Sequence, residues 1–256
     1  MSVRLVALKA IPGPIAILPG ATFVELDDER AAEYVATGHA RPVAKREGWH
    51  GLDWQGGSVA ILASGPSLTP DQCAAVRAWR DAAPGRYAIA INTTFRLAPW
   101  ADIFYACDGE WYRAMDNGVR YVDEVTALID KARCWTQDRK AADDFGLHYI
   151  ESSRAPGLST DPRRINQGNN SGFQCINIAY HAGARRIILL GFDCKPGHWH
   201  KPHPSPLSNS LPFERWKREF RALAADLKTT GVEVVNASPG TALKAFPLVD
   251  LKSALR

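Results

Sequence analysis

Short, solidly apolar runs alternate with stretches of helical pattern along most of this chain. In Ser58-Val59-Ala60-Ile61-Leu62-Ala63 and Arg185-Arg186-Ile187-Ile188-Leu189-Leu190, apolar residues fill successive positions. Side chains alternate across a strand, so runs of this kind leave neither face for water. They predict strands at 58–63 and 185–190, with further strands at 87–92, 102–107, 133–136, 147–150 and 232–235. Between them, helical patterns cover 69–83, 172–184 and 212–230. Thr69 is placed as an N-cap, and Pro70 occupies the first helical position, where its missing N–H costs nothing. The expected fold class is α/β: a Rossmann-like, mainly parallel sheet with helices on both faces.

Residues 1–46 read differently. Strands at 3–8 and 22–26, a short helix from Asp27 and a strand at 41–43 suggest a small N-terminal α+β module. Its acidic helix start suits the positive end of the helix dipole. Residues 47–57 read as a linker, and 58–256 as a Rossmann-like nucleotide-binding domain. Hydrophobic residues make up 46% and charged residues 23% of the 256, as in ordinary globular chains. No apolar run reaches the roughly 20 residues of a membrane helix, and no signal-peptide pattern opens the sequence, so a cytoplasmic location without membrane partners is expected. The net charge of +4 permits an acidic partner without demanding one. The five cysteines lack any CxxC pair, which points to small buried hydrophobes rather than a zinc site or disulfide framework.

Parallel sheets bind ligands beyond the carboxyl ends of their strands. After the first strand of the main domain come Ser64-Gly65-Pro66-Ser67-Leu68. Glycine allows a tight turn and close approach of a ligand, and the following helix start offers free N–H groups. A phosphate-binding turn and a plain capped turn both fit these residues. Asn92, Thr93 and Thr94 follow the second strand, and Asp108 follows the third, as a sugar-hydroxyl acceptor or a helix cap. Gln167-Gly168-Asn169-Asn170-Ser171-Gly172 precedes a helix and is longer and more polar than capping alone requires. Gly191 and Asp193 follow the strongest strand, and His198, His200 and His203 lie in the loop beyond. Those histidines read as a general base, a metal site or a polar surface loop. Arg163 and Arg164 are candidates to meet phosphate. On the helix at 212–230, Phe213, Trp216, Phe220 and Leu223 share one face and read as core.

Taken in order, Ile61 to Leu68, Ile91-Asn92, Asp108, Asn170-Ser171-Gly172 and Gly183 to Asp193 resemble the bacterial sialyltransferases of the Campylobacter type and the related MptE-like pterin pyrophosphokinase proteins. The resemblance implies nucleotide contacts at Gly65, Pro66, Ser67, Asn92, Ser171, Gly172 and Gly191, and Ser64, Thr93, Asp108 and Asn170 at the same strand ends are further nucleotide-binding candidates. It implies a catalytic histidine among His198, His200 and His203, with His200 or His203 favoured and Asp193 beside it, and no metal or other cofactor. The loop between 193 and 212 is shorter than the family's. The expected activity is a metal-independent glycosyltransferase with a sugar nucleotide as donor and DNA or a glycan as acceptor. The small 1–46 module resembles modules of tailed-phage proteins, which implies a phage component as partner and phage DNA or a virion component as target. The pterin branch implies instead a magnesium-dependent diphosphotransferase with Asp108 and Asp193 at the metal. A non-enzymatic phage protein that keeps the fold is the third reading.

Overall fold

The apolar runs form strands, and the amphipathic stretches form the helices that cover them. The computed structural model describes residues 3–7, 9–12, 17, 22–25, 27–42, 52–114, 127–129, 133–200 and 212–256. In chain order its elements begin with β1 (Val3–Ala7), β2 (Thr22–Glu25), α1 (Asp28–Ala36), β3 (Ala40–Pro42), β4 (Ser58–Leu62), α2 (Pro70–Asp81), β5 (Arg86–Ile91) and β6 (Ile103–Tyr105). They continue with α3 (Gly109–Ala114), β7 (Cys134–Thr136), α4 (Arg139–Phe145), β8 (His148–Tyr149), β9 (Glu151–Ser153), β10 (Arg164–Asn166) and α5 (Ser171–His181). Last come β11 (Arg186–Leu190), α6 (Phe213–Leu227), β12 (Glu233–Asn236) and α7 (Leu251–Ala254). The chain divides into two units. One holds the described residues of Met1–Gly48 and Asp108–Tyr149, and the other those of Trp49–Cys107, Ile150–Pro204 and Ser208–Arg256.

In the larger unit, strands pair in the order β12-β11-β4-β5-β6, every pair parallel. Ala60, Leu62, Ala88, Ala90, Ile188 and Leu190 face one side and pack with Cys73, Val76 and Trp79 of α2. The alternate residues Val59, Ile61, Ile89, Ile187 and Leu189 are also fully buried, and α5 packs on β4 and β5. This is the doubly covered parallel sheet expected from the solid apolar runs. Helix α2 starts where the sequence places it. Thr69 Oγ1 accepts from the Gln72 N–H (3.2 Å), and Gln72 Oε1 accepts from the Thr69 N–H (3.0 Å), a reciprocal capping box. The Asp102 carboxylate, just before β6, accepts from the Arg80 guanidinium of α2 and the Ala88 N–H of β5.

Helix α5 is buried from Ser171 to Ala179, so its polar side chains require internal partners. Gln174 Oε1 accepts from Tyr105 Oη (2.7 Å), and Gln174 Nε2 donates to Gln167 O (2.9 Å). Asn177 Oδ1 accepts from the Ser159 N–H (3.0 Å). Strands β9 and β10 pair in parallel beside this network. The sequence gives no apolar run for either strand, since Glu151-Ser152-Ser153 is polar. Described residues 52–57, within the stretch read as linker, are packed: the Trp54 ring stacks on Tyr87 at 4.8 Å, and the Trp54 backbone N–H donates to Ala182 O.

In the smaller unit, β2-β1-β3 form an antiparallel sheet. Leu5, Ala7, Ile11, Ala31 and Ala40 make its core. Asp27 caps α1, accepting from the Glu29 and Arg30 N–H groups. Strands β7 and β8 of this unit pair in parallel. Asp138 caps α4 through the Ala141 N–H (2.8 Å) and accepts from the Gly109 N–H (3.1 Å).

Candidate functional site

The strand order of the larger unit fixes where a ligand crevice belongs. From β4 the chain moves outward through β5 and β6, then returns to the other side of β4 to lay down β11 and β12. The order therefore reverses between β4 and β11, and a reversal of this kind opens a crevice at the carboxyl ends of the two strands. The loops 63–68 and 191–200 leave the sheet there.

These two loops are locked together. The Ala63 N–H donates to Leu190 O (2.8 Å), and the Gly65 N–H donates to Gly191 O (3.0 Å). A Cβ on Gly65 would lie 2.0 Å from Asp193 Oδ2 and 2.3 Å from Gly191 O. Gly191 has φ +72°, and its Cβ would lie 2.6 Å from Ala63 O. What approaches Gly65 closely is thus the Gly191–Asp193 segment. Asp193 is only 4% exposed. Its Oδ2 accepts from Ser67 Oγ (2.9 Å) and from the Ser67 N–H (3.3 Å). Its backbone oxygen accepts from the Ala242 N–H (2.8 Å), which ties in the loop after β12. Asp193 is a clamp across three strand ends, and it occupies the Ser67 donors that a phosphate at this turn would use. Pro66 is exposed at the tip of the turn.

Above this clamp lies a second polar chain. Ser64 Oγ sits 3.0 Å from Thr94 Oγ1 and 3.3 Å from Ile91 O. Trp199 Nε1 donates to Thr94 Oγ1 (3.1 Å), and the Trp199 N–H donates to Ser64 O (3.2 Å). Trp199 thereby fixes the histidine loop against the ends of β4 and β5. The sequence placed Thr94 among the strand-end polar residues without a role, and it offered no role for Trp199. A tryptophan between two histidines was the available signal. The His198 and His200 rings lie 4.9 Å apart. Burial, with His200 as a smaller contribution, holds His198 below the ordinary imidazole value. A histidine so disposed is mainly neutral at neutral pH, the form in which an imidazole can accept a proton. His203 lies outside the described residues.

Strand β5 ends at Ile91, one residue before the predicted end, and Asn92–Arg96 form a 3-10 turn. Asn92 stands at φ +50°, a conformation asparagine tolerates better than most residues. Its half-buried side chain forms no hydrogen bond among the described residues, whereas Thr93 and Thr94 are buried. At α5, Asn170 is the cap: its Oδ1 accepts from the Phe173 N–H (3.1 Å). Ser171 follows at the first helical position. A Cβ on Gly172 would lie 2.5 Å from the Phe192 ring, so ring packing explains that glycine.

The remaining candidates have local partners. Asp108 belongs to the smaller unit, is exposed and stands directly before α3, where its carbonyl accepts from the Trp111 N–H (3.0 Å). Arg163 and Arg164 both pair with Asp161, at 3.1 and 3.0 Å. Phe213 and Trp216 are half-buried rather than core. The Trp216 indole donates to Asn169 O (2.7 Å) and so braces the loop before α5. Burial pushes the Cys73 thiol to about 12, the Cys194 thiol to about 11 and the Cys175 thiol well above its ordinary value. Thiols so raised carry little thiolate at neutral pH and are poor nucleophiles there.

The parallel sheet with its central reversal defines this unit as a Rossmann-like α/β domain. No family model matches the chain, and no curated protein does. Among solved structures, a sialyltransferase from Campylobacter jejuni in complex with the substrate analogue CMP-3FNeuAc is 10% identical. That match covers 75% of this chain and 86% of the other, with a TM-score of 0.33. A short chain dehydrogenase from Mycobacterium smegmatis is 12% identical over 83% of this chain and 88% of the other, with a TM-score of 0.26. The fold assignment rests on the strand order and pairing of the chain itself.

Proposed function

We propose that the chain is a glycosyltransferase that takes a sugar nucleotide as donor and needs no metal for the transfer step. The observation that carries this reading is the strand reversal between β4 and β11, with the histidine loop fastened over it by Trp199. The nucleotide lies in that crevice. The free Asn92 amide meets its base or ribose, and Ser171 with the first turn of α5 faces its phosphate. The Gly65–Ser67 turn supplies shape rather than phosphate donors, because Asp193 already holds Ser67.

In the transfer, the acceptor hydroxyl oxygen attacks the anomeric carbon of the donor sugar. The bond from that carbon to the phosphate oxygen breaks, and the nucleotide leaves with the electron pair. A histidine takes the hydroxyl proton as the new bond forms. His198 has the ionisation state for this step, and His200 is its neighbour.

The test is nucleotide release from CMP-, UDP- and GDP-sugars in the presence of a chelator. The wild-type chain is expected to turn over one donor class, and His198→Ala to lower the rate by about 10²-fold or more. No release from any donor, or full activity in a chain lacking all three loop histidines, contradicts the proposal.

A further inference from the structure

A cavity of about 320 Å³ opens in the larger unit, lined among others by Arg154, Gln167, Gly168, Asn169, Arg215 and Glu219. We propose that it is a binding site for a small hydroxylated anion, a sugar phosphate or a sugar acid, which nothing in the transfer chemistry above requires.

Three observations support this. First, two arginines from separate elements line one cavity: Arg154 follows β9, and Arg215 lies in α6. Among the described residues neither has a hydrogen bond or ion pair, unlike Arg80, Arg163, Arg164 and Arg186, which all have carboxylate partners. Two arginines against the single carboxylate of Glu219 leave the lining with a net positive charge, which favours an anion there, and guanidinium matches a carboxylate or phosphoryl group in two-pronged fashion.

Second, the walls are preset. Gln167 Nε2 donates to Ser152 Oγ (3.0 Å), Gln167 O accepts from Gln174 Nε2 (2.9 Å), and Asn169 O accepts from Trp216 Nε1 (2.7 Å). The last bond couples the loop bearing Asn169 to the helix bearing Arg215. A ligand therefore meets a fixed gap and loses less affinity to ordering of the protein.

Third, Glu219 shares the wall. It would repel a bare anion, but it accepts hydrogen bonds from hydroxyl groups, as the Asn169 side chain also can. The lining thus selects an anionic group attached to hydroxyls. Its volume falls at the small end of ligand pockets, which suits one hexose-sized molecule.

Calorimetric titration of the full chain with glucose 6-phosphate, glucuronate, inorganic phosphate and glucose tests this. Saturable one-to-one binding is expected for glucose 6-phosphate or glucuronate. Phosphate should bind more weakly and glucose should not bind. The tighter of the two hydroxylated anions identifies the anionic group as phosphoryl or carboxylate. Affinity should fall at least tenfold in Arg154→Gln and in Arg215→Gln and stay unchanged in Arg218→Gln, an exposed arginine of the same helix outside the cavity. In the wild-type chain it should weaken as salt is raised, a readout that needs no variant. Absence of saturable binding by either hydroxylated anion, equal binding of glucose, or undiminished affinity in both cavity variants overturns the proposal. Each of these results is independent of whether nucleotide binds between β4 and β11.

Discussion

Gly65 has no room for a methyl group: Asp193 Oδ2 and Gly191 O already fill the place of a Cβ. Gly65→Ala must therefore push apart the loops after β4 and β11. A loss of about 1–3 kcal/mol is expected, read as a lower urea midpoint. The histidines give a pH signature at the same scale. Burial holds both His198 and His181 below the ordinary value, against opposing contributions at His181 from the Arg164 backbone and Asp161. The folded chain thus binds these protons less readily than the unfolded chain. Their contribution to stability is complete above about pH 6.5 and declines as pH falls below it. The urea midpoint should fall between neutral and mildly acidic pH, and His181→Gln should flatten that fall. Thiol chemistry gives a third check. Cys73 and Cys175 are buried with raised pKa, so a disulfide reagent near pH 8 should leave both unmodified until the chain is unfolded. The sequence placed the right residue types at the strand ends but not their partners. Ser67 and Asp193 are 126 positions apart, and nothing local to either one announces their bond.

At the scale of elements, the Asp102 carboxylate joins three pieces: α2 through Arg80, β5 through Ala88 N and the start of β6. Asp102→Ala leaves the Ala88 N–H without its acceptor and the Arg80 guanidinium with Asp81 alone. It should cost about 1–3 kcal/mol in unfolding experiments, whereas loss of the exposed Arg77–Asp81 pair should cost far less. The long elements were legible because periodicity and capping agreed. Thr69, Pro70 and Gln72 specify the start of α2, and continuous apolar residues specify β4 and β11. Strands β9 and β10 were not legible. Each has three residues, and their pairing depends on Asn166, Asn177 and Ser153 meeting across the fold. The aromatic face of α6 was only half legible. Its periodicity puts Trp216 with Phe220, but the helix end turns Trp216 to the loop at Asn169, where the indole N–H finds an acceptor.

At the scale of the whole molecule, the reversal of strand order is the feature on which the proposed function rests. A solid apolar run reveals a buried parallel strand, but the sequence does not say which strand lies beside it. The placement of β11 next to β4 brings Gly65 to Gly191 and the Trp199 loop over Ser64. Those contacts turn scattered strand-end residues into one site. The central claim is that a nucleotide binds in this crevice. The most direct test is thermal unfolding of the full chain with CMP, CDP, UDP, GDP, ADP and ATP, each with and without magnesium. A ligand at 100 times its dissociation constant adds about 2.7 kcal/mol. The account predicts stabilisation by one nucleoside mono- or diphosphate without magnesium, and loss of that shift in Asn92→Ala. No shift with any nucleotide, or a shift with ATP and magnesium alone, contradicts it.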